Sequence, residues 1–163
     1  MGLADDLLDL ADRLAKPAST DPEQASLRRA VSTAYYALFH LLVSEVGQLW
    51  QGGSATSRQR VERVLEHTGM KEVSQTFSHT QWTDWSGQSV ALPAELREVA
   101  KAFVALQQER HEADYNSGRI WAPFDAQPKV DQARLAFLRW RAVRTQRVAQ
   151  DYLLSFLVGR KRR

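Results

Sequence analysis

Leu27-Arg28-Arg29-Ala30-Val31-Ser32-Thr33-Ala34-Tyr35-Tyr36-Ala37-Leu38-Phe39-His40 decides the fold, because its apolar residues recur at helical rather than strand spacing. Leu27, Val31, Ala34 and Leu38, continued by Leu41 and Leu42, form one apolar face. Arg29, Thr33, Tyr36 and His40 follow one another at intervals of four, three and four on the opposite side. A helix built this way buries one face and presents hydrogen-bond donors on the other, either to a polar site or to another polar surface.

The same period of about 3.6 continues outward in both directions, so the expected fold class is all-α. A short first helix is expected over residues 3–15, with Leu3, Leu7, Leu10 and Leu14 as its core stripe and Asp5, Asp9 and Asp12 exposed, ending before Pro17. The decisive helix should run from about Pro22 to Trp50, announced by a Thr20/Glu23 capping-box pattern and stopped by Gly52-Gly53. A third piece, Arg58 to Glu66, should break at Thr68-Gly69, with a short helix from Met70 to Phe77 after it. Ser78 to Pro93 reads as a loop whose Trp82 and Trp85 fold over the helices as a flap. A long helix from Ala94 to Tyr115 carries Leu96, Val99, Phe103 and Leu106 inward and is closed by Asn116-Ser117-Gly118. A last one, Gln127 to Val158, presents Val130, Ala133, Phe137, Trp140, Val148 and Leu154. Four substantial helices in this order predict an up-and-down bundle, with the first helix and the tryptophan loop as additions.

Composition bounds the function. With 163 residues, 44% hydrophobic and 25% charged, the chain suits one domain spanning 1–163. The absence of cysteine excludes disulfides and thiolate metal sites, which favours the cytoplasm. No signal-like start and no run of about twenty apolar residues is present, so no membrane association is expected. Arg160, Lys161, Arg162 and Arg163 form a basic tail at 159–163, and removing these four charges from the net +3 leaves −1 for the rest. Arg134, Arg141 and Arg144 share one side of the last helix, as a phosphate-attracting stripe or as an ordinary solvated face.

The first stretch, followed some seventy residues later by Glu109-Arg110-His111-Glu112-Ala113-Asp114-Tyr115-Asn116, resembles the HEPN domain (higher eukaryote and prokaryote nucleotide-binding) over roughly residues 22 to 155. The resemblance implies a helical bundle that commonly forms a homodimer and works on RNA or nucleotides. Its usual setting is a bacterial toxin–antitoxin or phage-defence system with a nucleotidyltransferase or antitoxin partner. Active HEPN ribonucleases carry an Arg, a polar follower and a His four to six positions further on. Metal-independent RNA cleavage requires a base, a cation for the charged phosphate and an acid for the leaving oxygen. Here Arg110 and His111 match the first two positions, but Tyr115, Asn116 and Ser117 stand where the second His belongs. A phenol with a pKa near 10 is a poor general base at neutral pH. Another Arg-to-His spacing, Arg60 with His67, falls in the wrong helix.

The candidate site residues are therefore Arg110, His111 and Tyr115 for catalysis, Asp114 for orienting Arg110, and Arg29, Thr33, Tyr36 and His40 for binding RNA or a nucleotide. Four of them have a structural alternative: an i,i+4 ion pair for Arg110 with Asp114, and interhelical hydrogen bonds for Tyr36 and His40. No metal or cofactor is expected, since His67 and His79 lack ligand spacing and no glycine-rich phosphate loop is present. Three functions stay open: RNA or nucleotide binding without chemistry, metal-independent RNA cleavage, and a structural interaction module.

Overall fold

In a computed structural model of the chain, residues 2–16, 23–50 and 53–158 are described, and 77% helix with a minute two-stranded sheet makes the fold essentially all-α. The elements are α1 (Leu3–Ala15), α2 (Gln24–Leu49), α3 (Ala55–Arg63), α4 (His67–Phe77), β1 (Gln81–Thr83), β2 (Ser89–Ala91), α5 (Ala94–Tyr115), α6 (Pro123–Val143) and α7 (Arg147–Val158). Thr20 and its capping pattern, Gly52 and the basic tail lie outside the described residues. The chain divides into two compact units, and the division falls inside α2, α5 and α6.

The unit formed by residues 1–41 and 102–137 carries the candidate residues. In α2 the expected apolar face is buried, with Leu27, Val31, Ala34 and Leu38 at 0% exposure. Tyr35, Ser32 and Thr33 are buried with it, so the helix is enclosed over more of its circumference than one stripe. Tyr35 meets Phe103 of α5 at 5.5 Å between ring centres. The N-terminus of α2 is tied to the segment before α6, where the Gln24 side-chain amide donates to the Trp121 carbonyl (2.6 Å) and accepts from the Trp121 N–H (2.8 Å).

The first helix has the expected bounds but not the expected core face. Ala4, Leu8, Ala11 and Ala15 are buried, while Leu3 and Leu10 are exposed and Leu7 and Leu14 half-buried. The stripe that α1 turns inward is thus Ala4, Leu8, Ala11 and Ala15, and the larger leucine stripe is covered only in part. Asp12, expected outside, anchors α1 to α6 by accepting from Gln127 Nε2 (3.2 Å) and pairing with Arg134 (3.3 Å). Its carboxyl is held below the usual range, chiefly by the Lys16 ammonium hydrogen bond.

In the unit formed by residues 42–101 and 138–163, α4 packs against α7 and the hairpin. Phe77, Trp82 and Tyr152 form an aromatic cluster, with Phe77 about equidistant from both partners (4.9 and 5.0 Å). Ser74 Oγ lies 2.7 Å from the Tyr152 hydroxyl, and burial pushes that phenol above its ordinary value. The segment read as a loop holds the β1–β2 hairpin, with Trp82 opposite Val90. Three-residue strands are too short to show alternation. Asp84 Oδ1 accepts from the Ser86 hydroxyl and N–H and the Gln88 N–H, and Gly87 takes φ 84°, the left-handed conformation that favours glycine. Trp82 is folded inward, whereas Trp85 stays 55% exposed.

Several helix boundaries differ from expectation, among them the start of α3 at Ala55 rather than Arg58. Thr68-Gly69 does not break the chain, since α4 begins at His67 and the interruption comes at residues 64–66. The single last helix is two, because the Gln146 N–H reaches only to the Val143 carbonyl, and the chain restarts as α7. That turn resets the helical phase. Val130, Ala133, Phe137 and Trp140 are buried as expected, but Ala149, Tyr152, Leu153 and Phe156 replace Val148 and Leu154. Pro123 also starts α6 earlier than Gln127, and Pro128 lies inside the helix.

Candidate functional site

The site is built where the polar edge of α2 meets the end of α5. Arg28 makes this junction. Its Nη1 donates to the carbonyls of Ala113 and Asn116 (2.9 Å each), and Nη2 to those of Ser117 (3.3 Å) and Arg119. The last turn of a helix leaves carbonyls without intrahelical donors. One planar guanidinium with five N–H groups satisfies several at once, and its charge complements the negative end of the helix dipole. Asn116 completes the closure, its side chain accepting the Gly118 N–H and donating to Glu112.

One step further along α2, the Ser32 hydroxyl donates to Asp114 Oδ1. The other Asp114 oxygen stands 3.6 Å from Arg110 Nη1. The Arg110 guanidinium lies over the rings of Tyr35 (5.4 Å) and Tyr36 (5.8 Å), and its side chain is only 14% exposed. Its buried Nε has no hydrogen-bond partner among the described residues. Burial raises the Tyr35 phenol, opposed by the Arg110 charge, so Tyr35 is neutral at physiological pH. Arg110 is therefore packed beneath the surface by two aromatic faces and one carboxylate.

Tyr36 and Asp114, which contact Arg110, also line a polar cleft of about 380 Å³ together with Arg28, Arg29 and Tyr115 among others. At its rim Tyr115 is 68% exposed, and its ring lies 5.0 Å from that of His111, one turn earlier on α5 and also exposed. A second, larger hollow of about 530 Å³ shares Arg29 and Tyr36 as a wall, but its other lining comes from Thr33, His40 and the leucines of α1.

The eight sequence-derived residues thus separate. Arg29, Tyr36, Asp114 and Tyr115 line one cleft, with Arg110 against Tyr36 and His111 against Tyr115. Thr33 and His40 line the hollow beside the α1 leucines instead. His40 stacks edge-on with Phe39 at 5.3 Å. Six of the eight are thus gathered at or against the polar cleft, and Thr33 and His40 are not. Sequence reasoning missed Arg28, Ser32 and Tyr35 as site-forming residues. Their spacing of four and three was the available signal, a third stripe lying between the apolar and polar ones.

Two of the three arginines of the basic stripe, Arg134 and Arg144, are engaged by carboxylates. Arg134 pairs with Asp12, and Arg144 holds Glu45 through two hydrogen bonds (3.0 and 2.9 Å) and also reaches Gln48. Lys129 pairs with Glu109 and Arg139 with Glu98. Among the described residues no group of three or more His, Asp or Glu could hold a metal ion, and no helix is long and apolar enough to cross a membrane. Comparison of the chain with family models, curated proteins and solved structures gives no match.

Proposed function

We propose that the chain is a HEPN-like up-and-down four-helix bundle that binds RNA or a nucleotide in the polar cleft without cleaving it, in a bacterial toxin–antitoxin or defence setting with a nucleotidyltransferase or antitoxin partner. The observation that carries the reading is the composition of the cleft: exposed Arg29 and exposed Tyr115 face the same open volume, with the His111 ring beside Tyr115. An arginine supplies a phosphate contact, and an exposed aromatic pair supplies a stacking surface for an unpaired base. Arg110 contacts two of the lining residues, Asp114 and Tyr36, and the Tyr35 ring as well. The family resemblance contributes the biological setting.

The test is fluorescence anisotropy of the full chain with a short labelled single-stranded RNA in EDTA, across a salt series. Binding should weaken steeply with salt as phosphate contacts release counterions. Tyr115→Ala should weaken binding about tenfold, the loss of roughly one base-stacking contact. Arg29→Ala should lower the salt slope by about 0.7, one phosphate contact on a single strand. Absence of salt-dependent binding, or unchanged binding by both variants, would overturn the reading.

A second reading, metal-independent endoribonuclease, is favoured by the pairing of His111 with Tyr115 at the cleft rim, where an imidazole reaches solvent beside a phenol. It requires RNA fragments in the same EDTA samples, lost in His111→Ala and Arg110→Ala.

A further inference from the structure

α1 carries a leucine face that its own fold covers only in part, Leu7 and Leu14 being half-buried and Leu3 and Leu10 exposed. Leu3, Leu7, Leu10 and Leu14 are spaced by four, three and four residues, the pattern of an a/d seam in helix pairing. Leu3 is 59% and Leu10 37% exposed, and all four line the 530 Å³ hollow beside α2. An adjacent side of α1, about 100° round the helix, is already occupied, with Ala4, Leu8, Ala11 and Ala15 buried. A helix needs one stripe to dock on its own domain, and α1 has two.

The charges beside the leucines indicate what covers them. Asp6 and Arg13 are seven residues apart on the edge of the stripe away from the buried alanines, and both are exposed. The leucine spacing reads the same in both directions. Laid antiparallel, Leu3 meets the partner's Leu14, and Leu7 meets the partner's Leu10. At that register the flanking positions cross so that Asp6 reaches the partner's Arg13, and Arg13 the partner's Asp6. A two-fold axis repeats every contact, as an isologous interface requires. Parallel pairing would set Asp6 beside the partner's Ala11 and leave both charges unmatched.

We propose that the leucine face of α1 binds α1 of a second copy of this chain, antiparallel, sealed by two reciprocal Asp6–Arg13 ion pairs. The seam is independent of the ligand assigned to the polar cleft. Four leucines a side form a small interface, so the association is reversible and concentration-dependent rather than obligate. Because the ion pairs are exposed, added salt weakens it modestly.

Sedimentation velocity on the full chain, with circular dichroism to verify folding, provides the test. The wild type should pass from monomer to dimer as concentration rises. Asp6→Arg and Arg13→Asp should each raise the dimer dissociation constant by about tenfold or more, since each sets like charges against one another twice. An equimolar mixture of the two variants should recover association near the wild-type value, because their charges complement across the seam. Leu10→Lys should abolish it. A wild type that stays monomeric into the millimolar range, single variants that dimerise normally, or a mixture that stays monomeric would each overturn the proposal.

Discussion

Arg28 and Arg29 are neighbours in sequence with separate tasks, and the difference comes from 100° of helical rotation. Arg28 turns toward the end of α5 and is consumed by four carbonyls, while Arg29 turns into the open cleft. Arg28→Ala should therefore destabilise the fold by about 2 kcal/mol in urea denaturation, in the range for hydrogen bonds to a charged group. Arg28→Lys should recover little of it, since a compact ammonium cannot span the same carbonyls. Substitution at Arg29 should leave the urea midpoint in place, as expected for an exposed side chain. Asp114 couples the two helices through Ser32 and faces Arg110 with its other oxygen.

At the scale of elements, Asp12 ties α1 to α6. Asp12 accepts from Gln127 and pairs with Arg134, and the Lys16 hydrogen bond is the main reason its carboxyl titrates below the usual range. A depressed folded-state value means that the contribution is fully present above the unfolded carboxyl value near 3.9 and is lost as pH falls through the folded one. Amide hydrogen exchange in α1 should accordingly rise at acid pH before that of α2. In Asp12→Asn this acid-dependent difference should be absent, with α1 already faster at neutral pH. The helix remains attached through Ala4, Leu8, Ala11 and Ala15, so the effect is local fraying rather than global unfolding.

Across the whole molecule, the distribution of charge matters more than its sum. The net +3 and the arginine-rich α6 suggest a nucleic-acid surface, yet Lys129, Arg134, Arg139 and Arg144 each hold a carboxylate. Changing these four to glutamine should leave the salt dependence of RNA binding nearly as in the wild type, whereas Arg29→Ala should reduce it. An anisotropy titration comparing the two variants checks this. Equal loss of slope in both would mean that the field of the whole protein, not the cleft, attracts the RNA.

The long helices were readable from the chain because each carries its own periodic signal: the bounds of α1 and α5 coincide with the sequence-based expectation, and the apolar faces of α2 and α5 are buried as their spacing implies. Half of the cleft was readable for the same reason, Arg29, Tyr36, Asp114 and Tyr115 being donor- or acceptor-bearing residues in phase on their helices. Periodicity records that a face is apolar, but not what covers it. Which of its two apolar stripes α1 buries was decided by the neighbours it meets, not by its own spacing. The break between α6 and α7 depended on three residues, 144–146, with no proline or glycine to mark them. The division of the α2 stripe between two hollows, and the burial of Arg110 beneath two tyrosines, are relations between helices distant in sequence. Local spacing determines the faces of a helix, and only packing determines which neighbour each face meets.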